Sequence, residues 1–182
     1  MIPCPGEIQL ILSAELIEAM DKELRPYTGG ITREQILDLE ARMLADLDIR
    51  GIPHTPGNTD DLCPVKHHFA PGLYAREILL PAGVRIIGKI HRHAHINTIS
   101  AGRVLVFTEF GSSELVAPVT FVSIPGTKRV VFAIEETMWT TYHPTDEVDL
   151  GRIEGHVIAP TFEEYERGQL MVKGAQSCHG AL

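Results

Sequence analysis

Between Leu73 and Thr145 the chain is a succession of short apolar runs, rich in β-branched residues, that are separated by turn sequences. The turns contain glycine and proline, which interrupt regular structure. Many short strands at close, regular spacing are typical of a closed barrel or a double-sheet jelly roll. The predicted strands are LYAREILL, VRIIGKIH, HINTI, RVLVFTEF, SELVAP, VTFVSI, RVVFAIE and MWTTYH.

The residues outside this region predict helices and a loop. Residues 7–25 place apolar side chains at helical spacing until Pro26 ends the run. Thr32 and Gln35 have the spacing of a capping box for a second helix, Arg33 to about Leu47. We expect both helices to pack on the main core; the alternative is a dimerising helix pair. The predicted divisions are a helical segment (1–50), an ordered loop (51–72), a mainly β barrel (73–160), and a C-terminal helix and tail (161–182) capped by Thr161.

The composition argues against several classes of partner. The formal net charge of −8 disfavours a broad surface for a nucleic-acid polymer or an acidic membrane, but it allows a local basic pocket. No apolar run approaches the ~20 residues that span a bilayer, and the N-terminal residues lack the basic leader of a signal peptide. The three cysteines, Cys4, Cys63 and Cys178, are odd in number and widely spread. We therefore expect free thiols in a reducing compartment, the cytoplasm.

Three histidines alternate in the sequence GVRIIGKIHRHAH: His91, His93 and His95. On a straight strand His91 and His95 would lie roughly 13 Å apart, too far for two metal–nitrogen bonds of about 2.0–2.1 Å to one ion. If the chain reverses at residues 92–94, His91 ends one strand and His95 begins the next. Their side chains can then converge, while His93 lies at the turn.

The spacing around these histidines resembles the first motif of the cupin superfamily. That motif has a glycine, five residues, His-x-His, three or four residues, a glutamate, six residues and a second glycine. Gly83 and Gly102 stand in this register, with Lys89 at the first histidine, His91 at the second and His95 at the glutamate. The resemblance runs from the first predicted strand to the last. It implies a cupin-like barrel and, because cupins often pair through their sheets, a homodimer.

The second cupin motif has a Pro/Gly turn followed by a histidine. Pro125-Gly126 supplies the turn, but Arg129 stands at the histidine position, and His143 follows on the next predicted strand. The resemblance therefore implies a metal site of His91, His95 and His143 for a divalent transition metal, namely Zn, Fe, Ni or Mn. The alternative is that the three are hydrogen-bonded barrel residues that hold no metal.

Cationic residues accompany the histidines. By alternation, Arg85 and Lys89 share a strand face with His91. If that face lines the pocket, the cavity favours a small anion such as a carboxylate or phosphate. For Lys89 the alternative is a place at the barrel mouth with its ammonium in water. The predicted ligand-binding residues are Lys89, Arg129, Asn97 and Arg85.

Three longer segments also resemble small cupin-like proteins of tailed bacteriophages and prophages. They are HHFAPGLYAREILLPAG, APVTFVSIPGTKRV and WTTYHPT. This looser resemblance implies a barrel, and the host cytoplasm as its compartment, but no reaction.

Three functions follow as hypotheses. The first is a metal-binding cupin-like protein with a small anionic ligand or substrate; these residues do not distinguish an oxygenase, an isomerase and a lyase. The second is a metal-free protein that sequesters an anionic small molecule such as a nucleotide, which would suit a phage protein that blunts a host response. The third is a virion or assembly component that uses the barrel as a scaffold.

Overall fold

The structure, a computed structural model, describes residues 8–10, 12–24, 29–51 and 63–177. These ranges contain four helices: α1 (Ala14–Leu24), α2 (Arg33–Ile49), α3 (Leu150–Val157) and α4 (Phe162–Ser177). They also contain twelve strands. The strands are β1 (Ile8–Leu10), β2 (Val65–Ala70), β3 (Leu73–Leu80), β4 (Arg85–Ile87), β5 (Ile90–His91), β6 (His95–Ala101), β7 (Arg103–Thr108), β8 (Gly111–Val116), β9 (Val119–Ser123), β10 (Val130–Ala133), β11 (Thr137–Pro144) and β12 (Ile158–Ala159).

Ten of the described strands form two five-stranded antiparallel sheets. The first sheet has the order β1-β4-β10-β7-β8 and the second the order β2-β3-β11-β6-β9, while β5 pairs with β12. From β3 onward the chain crosses repeatedly from one sheet to the other, so neighbours within a sheet are mostly distant in sequence. This is the double-sheet jelly roll that the strand spacing predicts, and the mainly β fold class is confirmed.

The barrel core lies between the two sheets. Because alternate residues of a strand face opposite sides, every second residue contributes to this core. Ile78, Ile99 and Trp139 come from the second sheet, and Val104 and Val131 come from the first. The Trp139 side chain also meets Phe121 edge to face, with ring centroids 5.6 Å apart.

The two N-terminal helices cover the outer face of the first sheet. Leu39 and Met43 of α2 are buried in one apolar cluster with Ile87, Phe107 and Val130 of β4, β7 and β10. The helices therefore pack on the main core, as expected from the stripe of apolar residues along each of them.

The predicted capping box begins α2. The Thr32 hydroxyl accepts a hydrogen bond from the Gln35 N–H at 3.2 Å, and the Gln35 side chain accepts one from the Thr32 N–H at 2.8 Å. Two amide groups that have no partner within the helix are satisfied in this way.

The start of the predicted first helix is wrong. The helix begins at Ala14, and Ile8–Leu10 instead form β1, which pairs antiparallel with β4. Ser13 accepts the Leu16 N–H at 3.3 Å and marks the true beginning. Apolar residues stand on both sides of Ser13, so the spacing of apolar residues does not distinguish β1 from the helix α1 that follows it. β1 is a strand because it pairs with β4, which the local sequence does not reveal.

Two further elements differ from the prediction. The predicted loop 51–72 ends in a strand, β2, whose Val65 pairs with Ile78 of β3; residues 52–62 lie outside the described part. Most side chains of β2 are exposed, so the strand lacks the alternation that identifies a half-buried strand. Helix α3 was not predicted, since its eight residues include Gly151 and Gly155, which are poor helix formers.

The C-terminal helix is confirmed and longer than predicted. The Thr161 hydroxyl accepts the Glu164 N–H at 3.2 Å, as expected of its N-cap. No helix within the described ranges is both long enough and apolar enough to cross a membrane.

Candidate metal and ligand site

His91 and His95 meet because the chain bends between them. β5 ends at His91, residues 92–94 form the bend, and β6 begins at His95. The two ring centroids are 4.0 Å apart with an interplanar angle of 29°. The predicted reversal between the two histidines is therefore confirmed.

Backbone hydrogen bonds hold the bend. The Gly126 N–H, in the Pro125-Gly126 turn, donates to the His91 carbonyl at 2.9 Å. The Arg92 N–H donates to the Val157 carbonyl at 2.8 Å, and the Arg92 side chain donates to the Ile158 carbonyl at 2.8 Å. The position of His91 is thus fixed by the turn of the second motif and by the end of α3.

His143 enters from β11, as predicted. Its ring centroid lies 5.2 Å from that of His91 and 5.2 Å from that of His95. On its other side it stacks against Tyr74 of β3, its cross-strand partner, with centroids 6.2 Å apart. The structure therefore brings together the three histidines predicted as metal ligands.

Burial keeps these histidines neutral. Desolvation lowers the pKa of His91 well below its usual value, and the neighbouring His95 and His143 lower it further. Desolvation also lowers the pKa of His95 and of His143 to about 4. At pH 7 all three imidazoles are uncharged, which is the form that binds a metal.

Hydrogen bonding identifies the free nitrogen of His95. Its Nδ1 lies 3.1 Å from the carbonyl oxygen of His93. A carbonyl only accepts, so Nδ1 carries the proton and Nε2 keeps its lone pair. A backbone carbonyl that orients a histidine in this way is typical of metal ligands. The buried Nδ1 of His91 has no hydrogen-bond partner among the described residues.

The three imidazoles supply a donor type that suits a divalent transition ion, and two of their three ring spacings suit a single ion. A ring bound through one nitrogen has its centroid about 3 Å from the ion, so two rings at tetrahedral angles have centroids about 5 Å apart. The two distances to His143 match this value, whereas the stacked His91–His95 pair is closer. Across the part of the chain that the structure describes, no three His, Cys, Asp or Glu side chains are arranged to hold a metal ion as they stand. Coordination would require the stacked rings to turn.

Two neighbouring cavities adjoin the histidines. The outer cavity, of about 60 Å³, lies at the barrel mouth beneath α3 and is lined by His91 and His143. The inner cavity, of about 20 Å³, lies inside the barrel and is lined by His91 and His95. Arg76, Lys89, His91 and Thr141 line both cavities.

Lys89 lies at the cavity, as predicted, and forms an ion pair with Glu154 of α3. Among the described residues that line the two cavities, Glu154 is the one carboxylate, against the cations Arg76, Lys89 and Arg129. The cavity walls therefore carry an excess of positive charge inside an acidic protein.

Arg129 and Asn97 form the floor of the inner cavity. Asn97 Oδ1 accepts from Trp139 Nε1 at 2.9 Å and from Thr141 Oγ1 at 3.1 Å. Asn97 Nδ2 donates to Ser123 Oγ at 2.9 Å, and this hydroxyl also accepts from Arg129 at 2.7 Å. The network holds a buried guanidinium against the barrel interior, 5.9 Å from the Trp139 ring.

Arg85 does not lie with the other predicted ligand-binding residues. It faces the helical layer, where its guanidinium pairs with Asp21 of α1 and lies 4.2 Å from the Phe132 ring centroid. The predicted common face of Arg85, Lys89 and His91 does not exist, because β4 ends at Ile87 and the chain is irregular at residues 88–89. The irregularity shifts the alternation between the two strands.

Three features of the site were missed from the sequence. Tyr74 and Arg76 of β3 line the outer cavity, and so does α3, which closes it. The alternation of β3 placed Tyr74 and Arg76 on one face, but only the pairing with β11 shows that this face meets His143 and Thr141.

The other histidines within the described residues lie outside the three-histidine cluster. The His93 side chain is exposed and its ring centroid is 5.2 Å from that of His156 of α3. His67 Nδ1 lies 2.7 Å from the Tyr74 hydroxyl. Cys63 is buried in the barrel core. His54, His179, Cys4 and Cys178 lie outside the described residues.

Comparison with known proteins finds likeness at the level of structure. No protein-family model matches the chain, and no curated protein sequence matches it. The structure of KdgF from Halomonas sp. matches with a TM-score of 0.40 and 20% identity, over 46% of this chain and 82% of that chain. The cupin domain of Schizosaccharomyces pombe Cnp3 matches with a TM-score of 0.40 and 15% identity, over 46% and 65%. Ectoine synthase from P. lautus matches with a TM-score of 0.44 and 10% identity, over 52% and 71%.

The resemblance to bacteriophage proteins has no support in these comparisons. The architecture itself is defined by two facing five-stranded antiparallel sheets, a chain that crosses between them, and glycines of both motifs at their turns. The chain has the double-sheet jelly-roll fold that its sequence predicts.

Proposed function

We propose that the chain is a metal-binding cupin-like protein that takes a small anion into the mouth of its barrel. His91, His95 and His143 would hold one divalent transition ion, and Lys89 and Arg129 would orient the negative charge of the anion. The convergence of three neutral imidazoles beside these cations carries the proposal, with His95 and His143 buried and His91 partly buried.

Two observations support the metal. The Nε2 lone pair of His95 is left open by the bond of Nδ1 to a carbonyl, and His91 Nδ1 is buried with no hydrogen-bond partner in the described ranges. An unsatisfied buried nitrogen is costly unless something binds it. A divalent ion there would act as a Lewis acid or activate water. The three histidine side chains would fix the position of the ion.

The charge of the walls supports the anion. Arg129 is buried and held by Ser123, so its guanidinium stays near His91 and His95 in a poorly solvated space. A cation in such a place attracts an anion more strongly than one on the surface. The described lining of the two cavities carries three cations, Arg76, Lys89 and Arg129, against the single carboxylate of Glu154, which pairs with Lys89.

The size of the cavities favours a small ligand. The outer cavity of about 60 Å³ accommodates only a few water-sized groups, whereas pockets for drug-sized molecules hold roughly 300–1,000 Å³. A nucleotide therefore fits this site less well than a small organic or inorganic anion. The virion-component hypothesis stays a prediction.

The metal is tested by elemental analysis of untagged protein after equilibration with Zn²⁺, Ni²⁺, Mn²⁺ or Fe²⁺ and removal of excess ion. We expect about one ion per chain for at least one metal, as is usual for a three-histidine site. His95→Gln and His143→Gln should each reduce this to near background. His93→Ala is the matched control, because its exposed ring lies outside the cluster.

Circular dichroism and thermal melting establish that each variant is folded. Stoichiometric metal in the wild type that is retained in His95→Gln and His143→Gln would refute this ligand set. A folded wild-type protein that binds none of the four metals would refute the metal part of the proposal.

A metal-free binding protein is the second candidate, and the buried Arg129 network favours it independently of any metal. It predicts that a small anion binds the metal-free chain and that Lys89→Met weakens this binding without unfolding the protein. Calorimetric titration of the metal-free protein with phosphate and acetate distinguishes this candidate from the first.

A further inference from the structure

The outer cavity has two walls of opposite character. One wall comes from α3 and is mainly apolar, since Leu150, Ile153 and Val157 face the cavity; Glu154, which also lines this wall, pairs with Lys89. Ile153 and Val157 are buried in one cluster with Tyr74. The other wall is polar and comes from the barrel, with Arg76, Lys89, His91, Thr141 and His143. A ligand in this cavity therefore contacts charge on one side and hydrocarbon on the other.

The apolar wall is a fixed part of the site. The Asp149 side chain accepts the Arg152 N–H at 2.9 Å and caps the start of α3. At the other end, β12 follows α3 directly and pairs with β5, so Ile158 lies opposite His91. Both ends of α3 are thus anchored, which holds Ile153 and Val157 against the cavity.

The polar wall places a guanidinium next to a histidine. Arg76 pairs across the sheet with Thr141, and the next pair on the same face is Tyr74 with His143, two residues earlier on β3 and two residues later on β11. Arg76 and His143 therefore lie diagonally on the same inward face, at a separation that long side chains bridge. Guanidinium groups bind carboxylates through two parallel hydrogen bonds.

We propose that the outer cavity binds a small carboxylate with a short, branched aliphatic body. The carboxylate lies against Arg76, and the aliphatic body lies against Ile153 and Val157. This inference rests on the proposed function for the location of the ligand, and it adds the chemical class.

The apolar wall distinguishes this ligand from other anions. Inorganic phosphate has no part that would cover Ile153 and Val157, so these side chains would gain nothing from its binding. Burial of each additional methylene group against such a wall strengthens binding.

The test compares three probes by isothermal titration of the full chain, as purified: acetate, 3-methylbutanoate and 3-methylbutanamide. We expect 3-methylbutanoate to bind at least about tenfold more tightly than acetate, since it adds three carbon atoms to the apolar contact. The neutral amide has the same body without the charge, and we expect it to bind more weakly than 3-methylbutanoate by a similar factor of about ten.

Variants then assign the two walls. Ile153→Ser should reduce the preference for 3-methylbutanoate over acetate to about threefold or less. Val148→Ser is the matched control, because Val148 is 68% exposed just before α3 and its removal should leave the preference unchanged. Arg76→Gln should weaken both carboxylates and leave the amide unaffected.

Equal affinity for acetate and 3-methylbutanoate in the unmodified chain would overturn this inference, whatever the folding of the variants. In that case binding of phosphate or acetate, or of a metal ion, would show that the proposed function still holds. An unchanged preference in folded Ile153→Ser would also overturn the inference, because α3 would then not be the apolar wall.

Discussion

Burial, more than any charged neighbour, sets the protonation of His91, His95 and His143. The consequence for a bound ion is that all three protein ligands would be neutral. In the iron oxygenases with two histidines and one carboxylate, the carboxylate compensates part of the metal charge. Here that compensation would come from the ligand, which agrees with a preference for anions and departs from the usual oxygenase site.

Asp46 shows how one side chain joins the two N-terminal helices. Its Oδ2 accepts the Ser13 N–H at 2.9 Å, at the start of α1, and a hydrogen bond from Arg50 at 3.1 Å. The hydrogen bonds from Ser13 hold the pKa of the Asp46 carboxyl below its usual value, with a smaller contribution from Arg50 and with burial opposing them. The ionised form is therefore the one that stabilises the fold.

Asp46→Asn should lower the free energy of unfolding by about 1 kcal/mol at pH 7. Because the pKa is lower in the folded state than in the unfolded state, the contribution is fully present above pH ~4 and is lost as the pH falls through the folded-state pKa. The difference between wild type and variant should therefore narrow below pH 4. Urea unfolding followed by circular dichroism at pH 7, 5 and 3 measures it.

Glu18→Gln, at an exposed position of α1, is the control and should change stability little at any of these pH values. A difference between wild type and Asp46→Asn that is the same at pH 7 and pH 3 would show that the charge of Asp46 is not what stabilises the contact.

At the scale of elements, local patterns predicted much of the fold. β3 was predicted with its observed bounds, Leu73–Leu80, because alternation and flanking turns are properties of the local sequence. The capping box of α2 is equally local. β1 was not predicted as a strand, because it depends on pairing with β4, which lies far along the chain. β2 was missed for a different reason: its partner β3 follows directly, but most of its side chains are exposed and show no alternation.

The site divides in the same way. The meeting of His91 and His95 could be predicted, since a straight strand would separate them and a bend is the simple alternative. The place of Arg76 could not, because it depends on pairing with Thr141, a residue more than sixty positions away. Arg85 was wrongly predicted to share a strand face with Lys89 and His91. That prediction assumed one continuous strand, with side chains alternating through residues 88–89, where the chain is in fact irregular.

The turn at Gly126 illustrates how an element depends on a single small residue. Gly126 has a φ of 77°, and a Cβ there would lie 2.4 Å from a ring carbon of Tyr165 in α4. Tyr165 packs against the cluster of Ile90, Ala159 and Phe162. The turn, which also bonds to His91, is therefore covered closely by the C-terminal helix.

Gly126→Ala should lower the free energy of unfolding by about 2 kcal/mol or more, from backbone strain together with the clash. In a Tyr165→Ala background the clash is absent, and the same substitution should cost only about 1 kcal/mol. Chemical denaturation of the four proteins gives both values. An equal cost in the two backgrounds would show that contact with Tyr165 does not limit this turn.

For the whole molecule, the two sheets are covered unequally. The first sheet has an apolar cluster on each face, with Ile86 in the barrel core and Ile87 under the helices. The outer face of the second sheet carries exposed apolar residues. Ile96 and Val122 are cross-strand partners there and are 48% and 64% exposed.

The homodimer implied by the cupin resemblance would bury this face against a second copy. Val122→Lys would then place a charge in the interface, and we expect it to convert a dimer into a monomer. Light scattering coupled to size-exclusion chromatography measures the mass. Val148→Lys, at an exposed position outside this sheet, is the control. A dimer that persists in Val122→Lys would place the interface elsewhere, and a monomeric wild type would refute the predicted homodimer.

The pairing of β5 with β12 has a consequence for anyone who wishes to move this site into another protein. All ten strands of the two large sheets are complete by Pro144, so a gene fragment that stops there looks like a self-sufficient barrel. It would lack Val157 and Ile158, whose backbone groups hold Arg92 and face His91. The smallest transplantable unit therefore extends through Ala159, and a shorter graft would carry the three histidines without the strand that keeps them in place.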